Sequence, residues 1–254
     1  MTRLVIMPMG DSLTYGLGAP GGYRWPLQER LIAAGRRFDL VGGMAPVPGD
    51  PGPDRNHWGR DGWLISGEWD PITGRHYVPL SPRAERSRPF SRPLSEDLPA
   101  AISGRYFSRQ GDDRNVLLLQ IGTNDVLNQV VERGSSQAGG IAAAVLNRLQ
   151  SFLQLVDRRA RSSGLRLEVL VGTLQQLAPT NSYGIPVSNT MRRQIDVVNR
   201  RLPAMVRTSG LNGINVRVVP VGAAVGGHLL DGIHPNGLGY ERMAMAWYQA
   251  IRDL

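Results

Sequence analysis

Ser12 stands in the stretch Met7-Pro8-Met9-Gly10-Asp11-Ser12-Leu13-Thr14-Tyr15-Gly16, directly after the apolar run Leu4-Val5-Ile6-Met7. A serine hydroxyl in a turn beyond a first strand can cap a helix, hold a phosphate or attack a carbonyl carbon. Near the other end of the chain lies Asp231-Gly232-Ile233-His234-Pro235. A carboxylate three residues before an imidazole, in a loop, can curl back to accept the proton on one ring nitrogen. The other nitrogen is then free to take a proton from a serine. Such a nucleophile needs donors aimed at the charge that develops on the carbonyl oxygen. Gly122-Thr123-Asn124-Asp125 offers the side-chain amide of Asn124. Trp58-Gly59-Arg60-Asp61-Gly62-Trp63 offers a backbone N–H at a glycine that allows close approach, Gly62 first and Gly59 in reserve. The N–H of Ser12 itself is the remaining donor. Each fragment alone also has a plainer reading: Ser12 as a cap, Asp231 and Asn124 as turn residues, His234 as a surface ring beside Pro235. Those readings give no reason for all of them to follow strands at one edge of a sheet.

The elements that must hold them there are legible. Apolar runs from Leu4 to Met9, Phe38 to Val41, Val116 to Ile121, Leu167 to Val171 and Val216 to Val221 are bounded by turn residues and separated by helical patterns. This alternation predicts a parallel sheet with helices on both faces. Trp25-Pro26 opens a helix with Leu27, Leu31 and Ile32 on its apolar face, ending at Gly35. Ile141, Val145, Leu149, Phe152 and Val156 form a second stripe, with further helices over 192–206 and 238–251. The expected class is α/β: a flavodoxin-like three-layer α/β/α sandwich on a central five-stranded parallel sheet, with its site at the carboxyl ends of the strands. At 254 residues the chain is read as a single domain spanning 1–254. The exception to regular alternation is 43–114, which holds ten of the 18 prolines. It reads as a long excursion over the active-site face with a short helix near Leu98 to Ile102.

Composition removes several chemistries. There is no cysteine, hence no disulfide framework and no thiolate nucleophile, and no lysine, hence no Schiff base. The net charge of +8 is half accounted for by 75–93, with five arginines against Glu85. This is a local patch without the aromatic-basic interleaving of a nucleic-acid surface, so nucleic acid is not an expected partner. Arg83, Arg86, Arg88 and Arg92 read as a solvated face, or as a contact for an anionic substrate. Trp58, Trp63 and Trp69 read as core, or as stacking platforms for sugar or aryl groups. No apolar run reaches the ~20 residues of a membrane span, and Pro8 and Gly10-Asp11 interrupt any leader-like segment. The expectation is a soluble chain, cytoplasmic as given or exported with its leader removed. His57 and His76 lack a partnered ligand spacing, so no metal or cofactor site is expected. His228 is a second candidate base.

Three rivals compete with acyl transfer. Ser12, Thr14 and Gly16 could cradle a phosphate or flavin in a flavodoxin-like binding module, which leaves Asp231 and His234 without purpose. The arginines could make an interaction protein with a vestigial site. Phosphoryl transfer through Asp11 lacks the second acid of a D-x-D pattern, because position 13 is Leu13.

Taken together, these residues resemble the SGNH (GDSL-type) hydrolases, whose four blocks are matched in order by GDSL at 10–13, Gly62, GTND at 122–125 and DGIH at 231–234. The resemblance implies the SGNH fold, with Ser12 as nucleophile and oxyanion donor, Gly62 and Asn124 completing the oxyanion hole, His234 as base and Asp231 orienting it. Finer features are similar to carbohydrate esterase family 3, the acetyl xylan esterase branch. They are Ile6-Met7-Pro8-Met9 before the first block, Tyr23-Arg24, Phe38-Asp39-Leu40-Val41-Gly42, His57-x-Gly59-x-x-Gly62-Trp63, and Gly239-Tyr240 leading to Trp247-Tyr248. That branch tends to show His-Ser before the Gly-Trp, where this chain has Arg60-Asp61, and the segment after Trp63 is longer than usual. The resemblance implies an esterase for short, above all acetyl, esters of small molecules or carbohydrates. Within the family, broader esterase, lysophospholipase and thioesterase activities are the alternatives.

Overall fold

The structure, a computed structural model, describes residues 2–44, 49–65, 94–127, 140–182 and 187–254. Its centre is β1 (Leu4–Gly10), buried along its whole length as a run of mostly apolar residues without polar alternation requires. β1 pairs on one side with β4 (Arg114–Gln120), which pairs with β5 (Leu167–Gly172) and then β6 (Ile214–Val219). On its other side it pairs first with β2 (Phe38–Leu40) and, beyond that strand's end, with β3 (Trp58–Gly59). Every pairing is parallel, so all carboxyl ends share one edge. The sheet thus has six strands rather than the five expected, in the order β2-β1-β4-β5-β6 with β3 alongside β1. Two residues are too few to show a period of two, which is why β3 reads as loop from sequence.

Successive side chains of a strand point to opposite faces. Val5, Met7 and Met9 of β1, Leu117 and Leu119 of β4, and Val169 and Val171 of β5 enter one core. That core is closed by α3 (Leu94–Ala101), α4 (Ile141–Ser162) and α5 (Asn189–Thr208). Leu4, Ile6, Val116, Leu118 and Leu170 enter the other, closed by α2 (Arg24–Ala33), α6 (Val221–Val225) and α7 (Gly237–Ile251). A four-residue helix, α1 (Ser12–Tyr15), follows β1 directly. The predicted α/β layering is therefore present.

Local departures have local causes. Ile32, placed on the apolar face of α2 by its spacing, is 53% exposed. Leu27 and Leu31 are buried against α7, and Ile32 lies a further ~100° around the helix. The last strand ends at Val219 and not Val221, because Pro220 follows and Val221 already opens α6. The helix expected over 192–206 runs Asn189–Thr208, started by the Ser188 side chain accepting from the Met191 N–H. Trp69, His76, Arg83, Arg86, Arg88 and Arg92 lie outside the described residues. Among the described residues no helix is long and apolar enough to cross a membrane.

Candidate active site

Three strand ends set the site. Gly10 of β1 is in register with Gly59 of β3 and with Gln120 of β4. The chain turns upward from each: into Asp11-Ser12, into Arg60-Asp61-Gly62-Trp63, and into Gly122-Thr123-Asn124. Gly10 has φ +155°, and any β-carbon there would run into the Gln120 carbonyl oxygen, so a larger residue would push apart two strands that carry site residues.

Ser12 is the first residue of α1, where its N–H has no intrahelical acceptor. Asp11 caps the helix, its Oδ1 accepting from the Leu13 N–H at 3.1 Å. The far end of α1 is tied down by Arg24. Its guanidinium donates to the Thr14 and Tyr15 carbonyls, both at 3.0 Å, and to Asp50 Oδ2 at 2.6 Å. Both side chains of this pair are 1% exposed, and Asp50 Oδ1 also accepts from the Gly21 N–H at 2.7 Å. The helix is held at both ends, which fixes the Ser12 hydroxyl.

His234 arrives from the loop between α6 and α7. Its Nε2 lies 2.9 Å from Ser12 Oγ, and its Nδ1 lies 2.7 Å from Asp231 Oδ2. Asp231 Oδ1 accepts the backbone N–H groups of Ile233 at 2.9 Å and of His234 at 2.7 Å, so the carboxylate holds the loop as well as the ring. Burial works against the charge of Asp231. The His234 ring and N–H together with the Ile233 N–H outweigh it and keep this carboxyl well below the usual range. Ser12 and His234 are 3% and 5% exposed. The Tyr240 hydroxyl donates to the Leu17 carbonyl at 2.6 Å, linking α7 to the segment after Ser12. His228 is not the ring on Ser12; its backbone instead pairs with Val225 and Asn236.

Asn124 Nδ2 donates to the Trp63 carbonyl at 3.0 Å, bringing Asn124 to the turn that carries Gly62. A primary amide has two N–H groups, so one remains for a ligand. Gly62 adopts φ +74°, which favours glycine. Gly59, the reserve donor, instead gives its N–H to His57 Nδ1 at 3.1 Å. His57 is fully buried with its ring edge-on to Tyr15, so it packs behind α1. Trp58 and Trp63 are buried, and Trp58 stacks edge-on with Tyr106.

Two carboxylates lie beneath the site. Asp125 accepts the Ile65 N–H at 3.1 Å on Oδ2 and faces Arg148 at 3.4 Å on Oδ1, pinning the chain after the Gly62 turn to the end of β4. Asp11, fully buried, is pushed up to about 8, first by burial and then by the charges of Asp125 and Asp61, against the Leu13 N–H. A neutral Asp11 leaves Asp231 as the ionised partner of His234. Sequence reasoning named Arg24 only within a resemblance and gave Asp125 no role. A charged residue inside an amphipathic pattern was the signal for Arg24, but its acceptors come from distant segments.

Comparison with known proteins identifies the family. Residues 6–247 match the GDSL-like Lipase/Acylhydrolase family. The chain is 27% identical over 259 aligned residues to a multidomain esterase of Ruminococcus flavefaciens, covering 97% of this chain and 28% of that protein. It therefore spans little over a quarter of that relative's length. The fold resembles a Clostridium thermocellum family 3 carbohydrate esterase, with TM-score 0.61, 20% identity and coverage of 98% and 94% of the two chains. It also resembles the M. smegmatis aryl esterase, with TM-score 0.60, 16% identity and full coverage of both.

Proposed function

Because the chain belongs to the GDSL-like lipase/acylhydrolase family, a family of carboxylic ester hydrolases, we propose that it is a serine esterase for short acyl esters, acetyl above all, carried on carbohydrates or other small alcohols. Residues 1–254 make up one such unit in this reading. The observation that carries it is the continuous chain Asp231–His234–Ser12, at 2.7 and 2.9 Å, beside the Gly62 turn and Asn124.

Ser12 Oγ attacks the ester carbonyl carbon while His234 Nε2 takes its proton. Asp231 stabilises the imidazolium and keeps the ring turned toward Ser12. The tetrahedral oxyanion is received by the N–H groups of Ser12 and Gly62 and by the Asn124 amide. Collapse breaks the bond to the alcohol, which leaves with the proton from His234 and gives acyl-Ser12. Water, deprotonated by the same ring, then releases the acid and returns the proton to Ser12 Oγ.

The acetyl and carbohydrate assignments are supported by the family 3 likeness of fold and of the blocks around Ser12 and Gly62. A broader ester range is the second reading, favoured by the nearly equal likeness to an aryl esterase. Hydrolysis of p-nitrophenyl esters from C2 to C12, alongside acetate release from acetylated xylan, separates them. The proposal expects the highest kcat/KM at C2 together with acetate release. A maximum at long chains overturns it and leaves the serine mechanism standing.

A further inference from the structure

Past the end of β5 the chain continues as Thr173-Leu174-Gln175 on the edge of the sheet that carries the site. Asn199 of α5 holds Leu174 by both of its backbone polar groups: Oδ1 accepts the Leu174 N–H and Nδ2 donates to the Leu174 carbonyl, both at 2.8 Å. That pair fixes the backbone from which the Gln175 side chain leaves. Gln175 is 1% exposed, and its Nε2 donates to the Ile233 carbonyl at 3.2 Å. A carbonyl can only accept, so it is the amide nitrogen of Gln175 that faces it. The two preceding carbonyls of the same loop are taken by the same segment: Gly232 by the Ala178 N–H at 2.8 Å, and Asp231 by the Ser182 N–H at 2.9 Å. Gly232, at φ +88°, lies so near this segment that a β-carbon there would run into the Thr180 carbonyl oxygen.

We propose that Gln175 is a positioning residue for acyl transfer, which acts through the Ile233–His234 peptide to keep the His234 ring in reach of Ser12 Oγ. The inference rests on the serine-esterase reading above. A peptide unit is planar, so fixing its N–H and its C=O fixes the plane from which the His234 side chain departs. Here the His234 N–H donates to Asp231 Oδ1 at 2.7 Å, and the Ile233 C=O accepts from Gln175. Asp231 belongs to the loop it braces, so it fixes the ring relative to that loop. Gln175 fixes the loop relative to β5, and the Ala178 and Ser182 N–H groups hold it one and two peptides further back. A general base works only within hydrogen-bond reach of the proton it takes, and a displacement of about 1 Å would break the 2.9 Å approach of His234 Nε2 to Ser12 Oγ.

The test compares the full chain with Gln175→Met, which keeps the length of the side chain and loses the donor, and with Gln175→Asn, which keeps the amide and draws it back by one methylene. The readouts are p-nitrophenyl acetate kinetics, urea unfolding, and the downfield proton resonance of the His234 Nδ1–H in its bond to Asp231. Both variants should lose about tenfold or more in kcat with KM changed by less than about twofold. The resonance should shift or broaden as the ring is held less firmly. A bond that serves stability alone would lower the urea midpoint and leave kcat and the resonance of the folded protein at their wild-type values. Wild-type kcat, or a fall in kcat with the resonance unmoved, overturns the inference alone. If Gln175→Met does not fold, Gln175→Asn decides by the same criteria. A wild-type protein that hydrolyses no ester overturns the esterase reading beneath it.

Discussion

At the residue scale, Asn124 gives one amide N–H to the Trp63 carbonyl, and in the proposed mechanism its other N–H meets the oxyanion. Donors that engage only the developing charge act on kcat and barely on KM. Asn124→Ala should therefore lower kcat on a C2 ester by ~10²–10³ with KM changed little. Steady-state kinetics check this, and a variant with raised KM and unchanged kcat would remove Asn124 from the oxyanion hole. The residue types of the candidate site could be picked out in the sequence because the proposed acyl transfer needs few of them: a hydroxyl, an imidazole, a carboxylate and an amide, in loops that follow strands.

At the scale of elements, α1 has four residues and cannot be stable by itself, since helices that short do not repay nucleation. Its position is borrowed from Asp11 at one end and from Arg24 of α2 at the other. Removing one member of a buried ion pair leaves the other charge without compensation and costs about 3–5 kcal/mol. Arg24→Ala should destabilise the protein by that order and lower kcat as the Ser12–His234 geometry loosens. Urea unfolding and C2 kinetics measure both, and a variant of wild-type stability would contradict the bracing role. Long strands and helices could be read from sequence because burial imposes a period of two or 3.6 over many residues. β3, with two residues, and α1 could not, and it is these short pieces that aim the turn at Gly62 and the hydroxyl of Ser12.

For the whole molecule, the decisive contact joins positions 222 residues apart, Ser12 after the first strand and His234 before the last helix. Parallel pairing brings every strand's carboxyl end to one edge, so the β2-β1-β4-β5-β6 order supports the convergence that the spacing of motifs only suggested. That part of the architecture was legible because crossover rules leave few ways to wind such a chain. The arginine-rich stretch lies outside the described residues. The most direct measurement of the account is covalent labelling with a fluorophosphonate followed by peptide mass spectrometry. The account predicts one stoichiometric adduct on Ser12, formed rapidly in the wild type and on the order of 10³-fold or more slower in His234→Ala. No adduct, an adduct on another residue, or equal labelling of the two proteins would contradict it.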